Sequence, residues 1–229
     1  MVISSVGDID FNKLVRLSEK YFRPAETKKN GVKREPFSDY NRVSASEDKD
    51  SFLTHAIMGN EAYPRDHKYR LPLSILTNLL GGPALNSRLN LSIREKHGYA
   101  YAVEATYQPY SDTGVVMIYV GSDKDHIDQS LKLINSELNK LRERPLGTIQ
   151  LHRAKQQVIG QLAISFESRL NEMLGMAKNL IHDSGIRDFH QLVREIEGIS
   201  SADLQQVANE IFDTHKLSSL IYKARAEND

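Results

Sequence analysis

Eight histidines are the side chains in this sequence best suited to holding a metal ion: His55, His67, His97, His126, His152, His182, His190 and His215. A zinc site built on a helix needs two of them three or four residues apart, so that both imidazoles face one ion. None stands in a His-x-x-Glu-His, His-Glu-x-x-His or His-x-His arrangement. The nearest pair, His182 and His190, is separated by a stretch that contains Gly185. No metal site is predicted. The absence of cysteine removes thiolate nucleophiles, disulfides and cysteine-ligated zinc. No Gly-x-Ser-x-Gly elbow presents a serine. Gly81-Gly82-Pro83 is not followed by Gly-Lys-Ser/Thr, and proline lacks the N–H that a phosphate cradle would use. That triplet reads as the end of a helix.

The elements that would position any chemistry follow from apolar period and punctuation. Residues 2–6 read as a short strand ended by Gly7-Asp8. A helix capped by Asp8 or Asp10 follows, with Phe11, Leu14, Val15, Ser18 and Phe22 on one face. Pro24 stops it, and residues 24–40 read as a polar linker. Residues 41–46 and 51–59 are predicted strands around a charged hairpin tip, Glu47-Asp48-Lys49-Asp50. A helix over 67–80, carrying Leu73, Leu76, Leu79 and Leu80, is broken by Gly81-Gly82-Pro83, and a second over 84–96 ends at Gly98. The period then changes to two: Tyr99, Tyr101, Val103, Ala105 and Tyr107 alternate as in a half-buried strand. Residues 115–120 are a central strand, and Ser122 or Asp123 caps a long helix with Ile127, Leu131, Ile134, Leu138 and Leu141 in register. Residues 148–213 are helical, with breaks near Ser168, Ser184-Gly185 and Gly198 and a capping-box start at Ser200-x-x-Asp203. Residues 217–223 form a last strand.

Short hairpin-joined strands with the helices grouped apart predict an α+β fold, an antiparallel sheet packed against helices. Residues 1–23 read as the strand–helix tail of a preceding similar half, 24–40 as the linker and 41–229 as the main domain. The 229 residues carry 30 basic and 30 acidic side chains. That zero balance argues against a protein held to nucleic acid by phosphate contacts. No apolar run reaches the length of a membrane span. Residues 1–7 lack a basic n-region and a long apolar stretch, so no signal peptide is predicted; the compartment stays open, with the cytoplasm favoured.

The most distinctive stretch is 79–101. It holds Gly81-Gly82, then Ser87-Arg88-Leu89, then Arg94-Glu95-Lys96, Gly98 and Tyr101. This composite resembles the C-terminal half of the insulinase/pitrilysin/mitochondrial-processing-peptidase family of zinc peptidases. The resemblance extends to Val6-Gly7-Asp8 with Glu19-Lys20-Tyr21-Phe22, to Ala154-Lys155 and to Ser168-Arg169, and so covers essentially the whole chain. It implies one half of a two-half α+β enzyme that encloses a chamber. Zinc would be bound by the other, N-terminal half through His-x-x-Glu-His and a further glutamate, and no cofactor by this chain. It also implies that Arg94 and Tyr101 are substrate-binding residues that reach across the chamber. A guanidinium can hold a carbonyl or carboxylate, and a phenol can donate to an oxyanion. Residue types alone leave Arg94 an ordinary surface ion-pair partner and Tyr101 a packing residue beside Tyr99 and Val103. The implied partners are a homologous catalytic half or subunit and a peptide substrate, with a homodimer of this chain possible. The competing reading is a non-catalytic structural or peptide-binding subunit of the same fold.

Overall fold

The computed structural model describes residues 2–22, 35–182, 185 and 188–225. Five strands form one sheet: β1 (Ser44–Lys49), β2 (Thr54–Ala62), β3 (Ala102–Pro109), β4 (Gly114–Ser122) and β5 (Ser218–Ala224). Their spatial order is β1-β5-β2-β4-β3. Three pairings are antiparallel, but β1 runs parallel to β5, with Ser44 opposite Ser219 and Lys49 opposite Ala224. The expected α+β class holds, and the sheet is mixed rather than purely antiparallel.

The helices are α1 (Phe11–Tyr21), α2 (Arg70–Gly81), α3 (Ile127–Glu143), α4 (Thr148–Glu167), α5 (Arg169–Ile181), α6 (Phe189–Gly198) and α7 (Ser201–Ile211). Alternation along the strands builds the core. Ala56 and Met58 of β2, Val103 and Ala105 of β3, and Val116, Ile118 and Val120 of β4 are buried. They join Leu73, Leu76 and Leu80 of α2, Ile134 and Leu138 of α3, and Leu204, Val207 and Ile211 of α7 in one apolar cluster. The intervening Ile57 and Met117 are exposed, so the sheet carries its helices on one face. α1 buries none of its residues, and Phe11 is 73% exposed. The segment before it touches the rest of the fold where the Ser4 hydroxyl donates to the Met173 carbonyl at 2.9 Å.

Four local expectations are corrected. Residues 2–6 form no strand, because no strand among the described residues lies beside them. Glu47, Asp48 and Lys49 are not a hairpin tip; they lie within β1, and β5 separates β1 from β2. An edge strand tolerates that charge and is protected by it. The helix expected over 84–96 shrinks to a π-helical turn, Asn90–Glu95, in which the Lys96 N–H reaches the Leu91 carbonyl at 3.1 Å. α3 starts at Ile127 rather than directly after Asp123. The Asp123 carboxylate instead accepts the N–H groups of Asp125 and His126 at 3.1 and 2.9 Å, closing a turn ahead of the helix.

Several expectations stand. Ser168 caps α5, and Ser200 and Asp203 form the reciprocal capping box of α7. Pro145-Leu146-Gly147 separates α3 from α4. Pro24, most of the 24–40 linker and Ser184 lie outside the described residues.

Candidate functional site

Arg94 and Tyr101 line one cavity of about 430 Å³, together with Gly81, Gly82, Asn90 and Glu104. Three elements meet there: the C-terminal end of α2, the π-helical turn and the start of the edge strand β3. Each is shaped by a local cause. Gly81 ends α2 directly against β3, where a Cβ would stand 2.6 Å from the Ala105 nitrogen. The close approach requires glycine, because the obstacle is backbone. Pro83 then prevents the helix from continuing.

The Ser87-Arg88-Leu89 element anchors the loop. Ser87 and Leu89 are buried, and Asn90 donates to the Ser87 hydroxyl at 2.9 Å. Arg88 reaches Glu137 of α3 at 3.7 Å, and Glu137 is itself held by Lys140 at 2.6 Å. Burial lowers the Arg88 pKa from its ordinary value, and the Glu137 charge opposes that shift. The pair is structural and leaves Arg94 as the cation that faces the cavity. Arg94 is the fifth residue of the π-helical turn and is exposed. A wide turn of this kind displaces one side chain from the regular helical series.

Gly98 reverses the chain between the two residues. Its φ is +67°, its N–H donates to the Arg94 carbonyl at 2.9 Å, and the Tyr99 N–H reaches the Ile93 carbonyl at 3.0 Å. The Tyr99 ring stacks between His97 at 5.0 Å and His126 at 4.7 Å. Its carbonyl accepts the Ser122 hydroxyl. His126 is held in turn by Asp123 at 2.8 Å, and this hydrogen bond draws the Asp123 pKa below its ordinary value. Gly98→Ala meets no neighbouring atom within 4 Å, so it is expected to cost only the left-handed backbone strain, about 1–2 kcal/mol. The fall in melting temperature measures it, and Gly98→Asn should recover part of the loss.

Tyr101 departs from simple alternation. Its N–H bonds to the Gly121 carbonyl at 2.9 Å, yet the register already places Ala102 opposite Gly121. Two residues therefore face one, the arrangement of a β-bulge, which re-aims a side chain. Val103 is buried as expected, whereas Tyr101 is 68% exposed. That exposure removes the packing reading of Tyr101. Among the described residues neither the Tyr101 hydroxyl nor the Arg94 guanidinium has a hydrogen-bond or ion-pair partner. Glu104 and Asn90 complete the polar wall, and sequence reasoning passed over both. Asn90 could have been noticed as a polar residue on the apolar stripe of Leu89 and Ile93.

Zinc does not fit the described residues. The interior of α2 is Leu73, Ile75, Leu76 and Leu80, all buried and apolar. Among the described residues no three of His, Cys, Asp and Glu gather as a metal site would need. Two of the histidines are engaged with tyrosines: His55 bonds to the Tyr119 hydroxyl at 2.8 Å, and His67 stacks on Tyr63 at 4.1 Å between ring centres.

A family profile described as the peptidase M16 inactive domain matches residues 1–158. The chain belongs to the M16 peptidase family, as its inactive domain. The M16 chain is 25% identical over 221 residues to an uncharacterized zinc protease of Bacillus subtilis, covering 96% of this chain and 53% of that protein. It is 28% identical over 222 residues to another of Rickettsia felis, with the same shares covered. The alpha subunit of the human mitochondrial-processing peptidase is 24% identical over 183 residues, covering 76% of this chain and 35% of the subunit. Among solved structures, a protease from Helicobacter pylori superposes with a TM-score of 0.78 at 21% identity, over 95% of this chain and 53% of that one. A peptidase M16 inactive domain from Pseudomonas fluorescens gives 0.74 at 16% identity, over 86% and 48%. The M16 chain thus spans about half the length of the relatives it matches, as the C-terminal, non-catalytic half. No helix among the described residues is long and apolar enough to cross a membrane.

Proposed function

We propose that this M16 domain forms one wall of a peptide-cleaving chamber and offers Arg94 and Tyr101 to the peptide, while a homologous catalytic half supplies zinc and the attacking water. The observation that carries this reading is the convergence of an exposed guanidinium and an exposed phenol, neither partnered within the described fold, in one cavity. Holding such groups in place costs side-chain entropy without stabilising the domain. A ligand that accepts hydrogen bonds accounts for them. Peptide carbonyls do so, and β3, as an edge strand, leaves backbone hydrogen-bonding groups along the same cavity for an extended chain. Arg94 would hold a substrate carbonyl or carboxylate, and the Tyr101 hydroxyl would donate to the oxyanion as it forms.

The test joins this chain to a half that carries His-x-x-Glu-His, either fused upstream or as a separate subunit, and follows peptide cleavage. The chain alone, supplied with zinc, is expected to release no fragments, and the joined halves are expected to cleave. Cleavage by the chain alone would overturn the reading. Joined halves that cleave equally well without the Arg94 and Tyr101 side chains would favour the non-catalytic structural subunit instead.

A further inference from the structure

A second cavity lies at the opposite end of α2, away from Arg94 and Tyr101. Its volume is about 250 Å³, and its lining is Arg65, Asp66, His67, Lys68, Arg70 and Glu195, with Leu71 the one apolar residue. The twelve residues of α2 separate the two cavities by about 18 Å at 1.5 Å per residue. We propose that this second cavity is an oxyanion-binding site for a phosphate or carboxylate group, held by the side chains of Arg65, His67 and Lys68.

The site is built from side chains on a fixed loop. The Arg65 N–H bonds to the Tyr110 carbonyl at 2.8 Å, the His67 N–H to Pro64 at 3.2 Å and the Arg70 N–H to His67 at 3.1 Å. The loop is thereby tied both to the β3–β4 turn and to itself. Three permanent cations and two carboxylates line the cavity; Arg70 and Glu195 already have partners, which leaves Arg65 and Lys68 as its cations without an ion pair among the described residues. The Arg65 Nε is buried and has no hydrogen-bond partner. The rest of the Arg65 guanidinium likewise has no hydrogen-bond or ion-pair partner among the described residues, and bonds from it to a charged acceptor are strong. His67 is set as a donor. Its Nδ1 accepts the Tyr69 N–H at 3.2 Å, so the neutral ring carries its proton on Nε2. The helix end adds little: the Arg70 and Leu73 N–H groups are already bonded, and Pro72 has none. α2 also carries no acidic residue in its first turn and no side-chain cap.

The inference does not depend on the peptide-contact reading, because no residue is shared between the two cavities. The test titrates the 229-residue chain with inorganic phosphate and, separately, with acetate. Sodium chloride holds the ionic strength constant, and backbone amide NMR shifts are followed. Saturable shifts centred on residues 65–71, weakened about tenfold in Arg65→Gln, are expected. Saturation by phosphate alone assigns the site to phosphoryl groups, and saturation by both extends it to carboxylates. Lys68→Gln is the second variant, since Lys68 is exposed and its loss leaves the fold intact. Shifts that follow ionic strength without saturating, or that saturate equally in both variants, would overturn the proposal.

Discussion

Tyr101→Phe, in the chain joined to a half bearing the zinc motif, is expected to lower kcat/KM by about 10²-fold, chiefly through kcat. The substitution removes one hydroxyl and nothing else. That hydroxyl has no partner among the described residues, and the ring is 68% exposed, so the melting temperature should not move. A group that donates only to the developing oxyanion alters the transition state more than the bound substrate, and KM stays nearly constant. Arg94→Ala should behave differently. A guanidinium that holds a ground-state carbonyl or carboxylate contributes to binding as well, so KM rises along with the loss of kcat. Arg94→Lys should recover little, because an ammonium lacks the forked donors. Unchanged steady-state kinetics in both variants would remove the pair from the reaction.

The site was only partly legible in the sequence. Its frame could be read directly: Gly81-Gly82-Pro83 as a helix end, Gly98 as a reversal, and the alternation of Val103 and Ala105 as a strand. The aim of Tyr101 could not. Alternation placed it on the face of Val103, and only a two-against-one pairing with Gly121 of β4 turns it outward. That pairing is decided by a strand roughly twenty residues away, not by local period. The same cause explains the misreading of Glu47-Asp48-Lys49. The local pattern of charge between two strands suggests a tip, but the partner of this segment is β5, at the far end of the chain. The π-helical turn was read as an ordinary helix because its apolar positions suit either period over so few residues. The linkage of Arg94 to Tyr101 came from family resemblance, since their spacing alone assigns no shared cavity.

The second large effect is expected at Gly81. A Cβ there would stand 2.6 Å from the Ala105 nitrogen and 3.0 Å from the Glu104 carbonyl carbon. Both obstacles are backbone, so no side-chain rotation relieves the clash. α2 must move off β3, opening the apolar layer that holds Leu80 and Val103. Gly81→Ala should therefore destabilise by about 2–3 kcal/mol, a fall in melting temperature of about 5–10 °C for a chain of this size. Gly160→Ala is the matched control. Gly160 lies inside α4 with nothing within 4 Å of its would-be Cβ, and the exchange should raise stability by about 0.5–1 kcal/mol. Similar losses at both positions would show that the close approach at Gly81 is not what holds α2 against β3.

The place of β5 between β1 and β2 sets an order of events during synthesis. β1 begins at Ser44, and β5 is complete only at Ala224, so the first strand of the sheet waits unpaired until β5 has been made. The β3–β4 hairpin with α2 and α3 can assemble earlier, from local contacts, but the sheet closes only when its last strand slides in beside its first. Pairing across so long a loop is slow, and while it is pending both β1 and the adjoining edge of β2 are open to foreign strands. The charges on β1 serve during that interval: Glu47, Asp48 and Lys49 make the waiting strand a poor template for any partner except the one that arrives last.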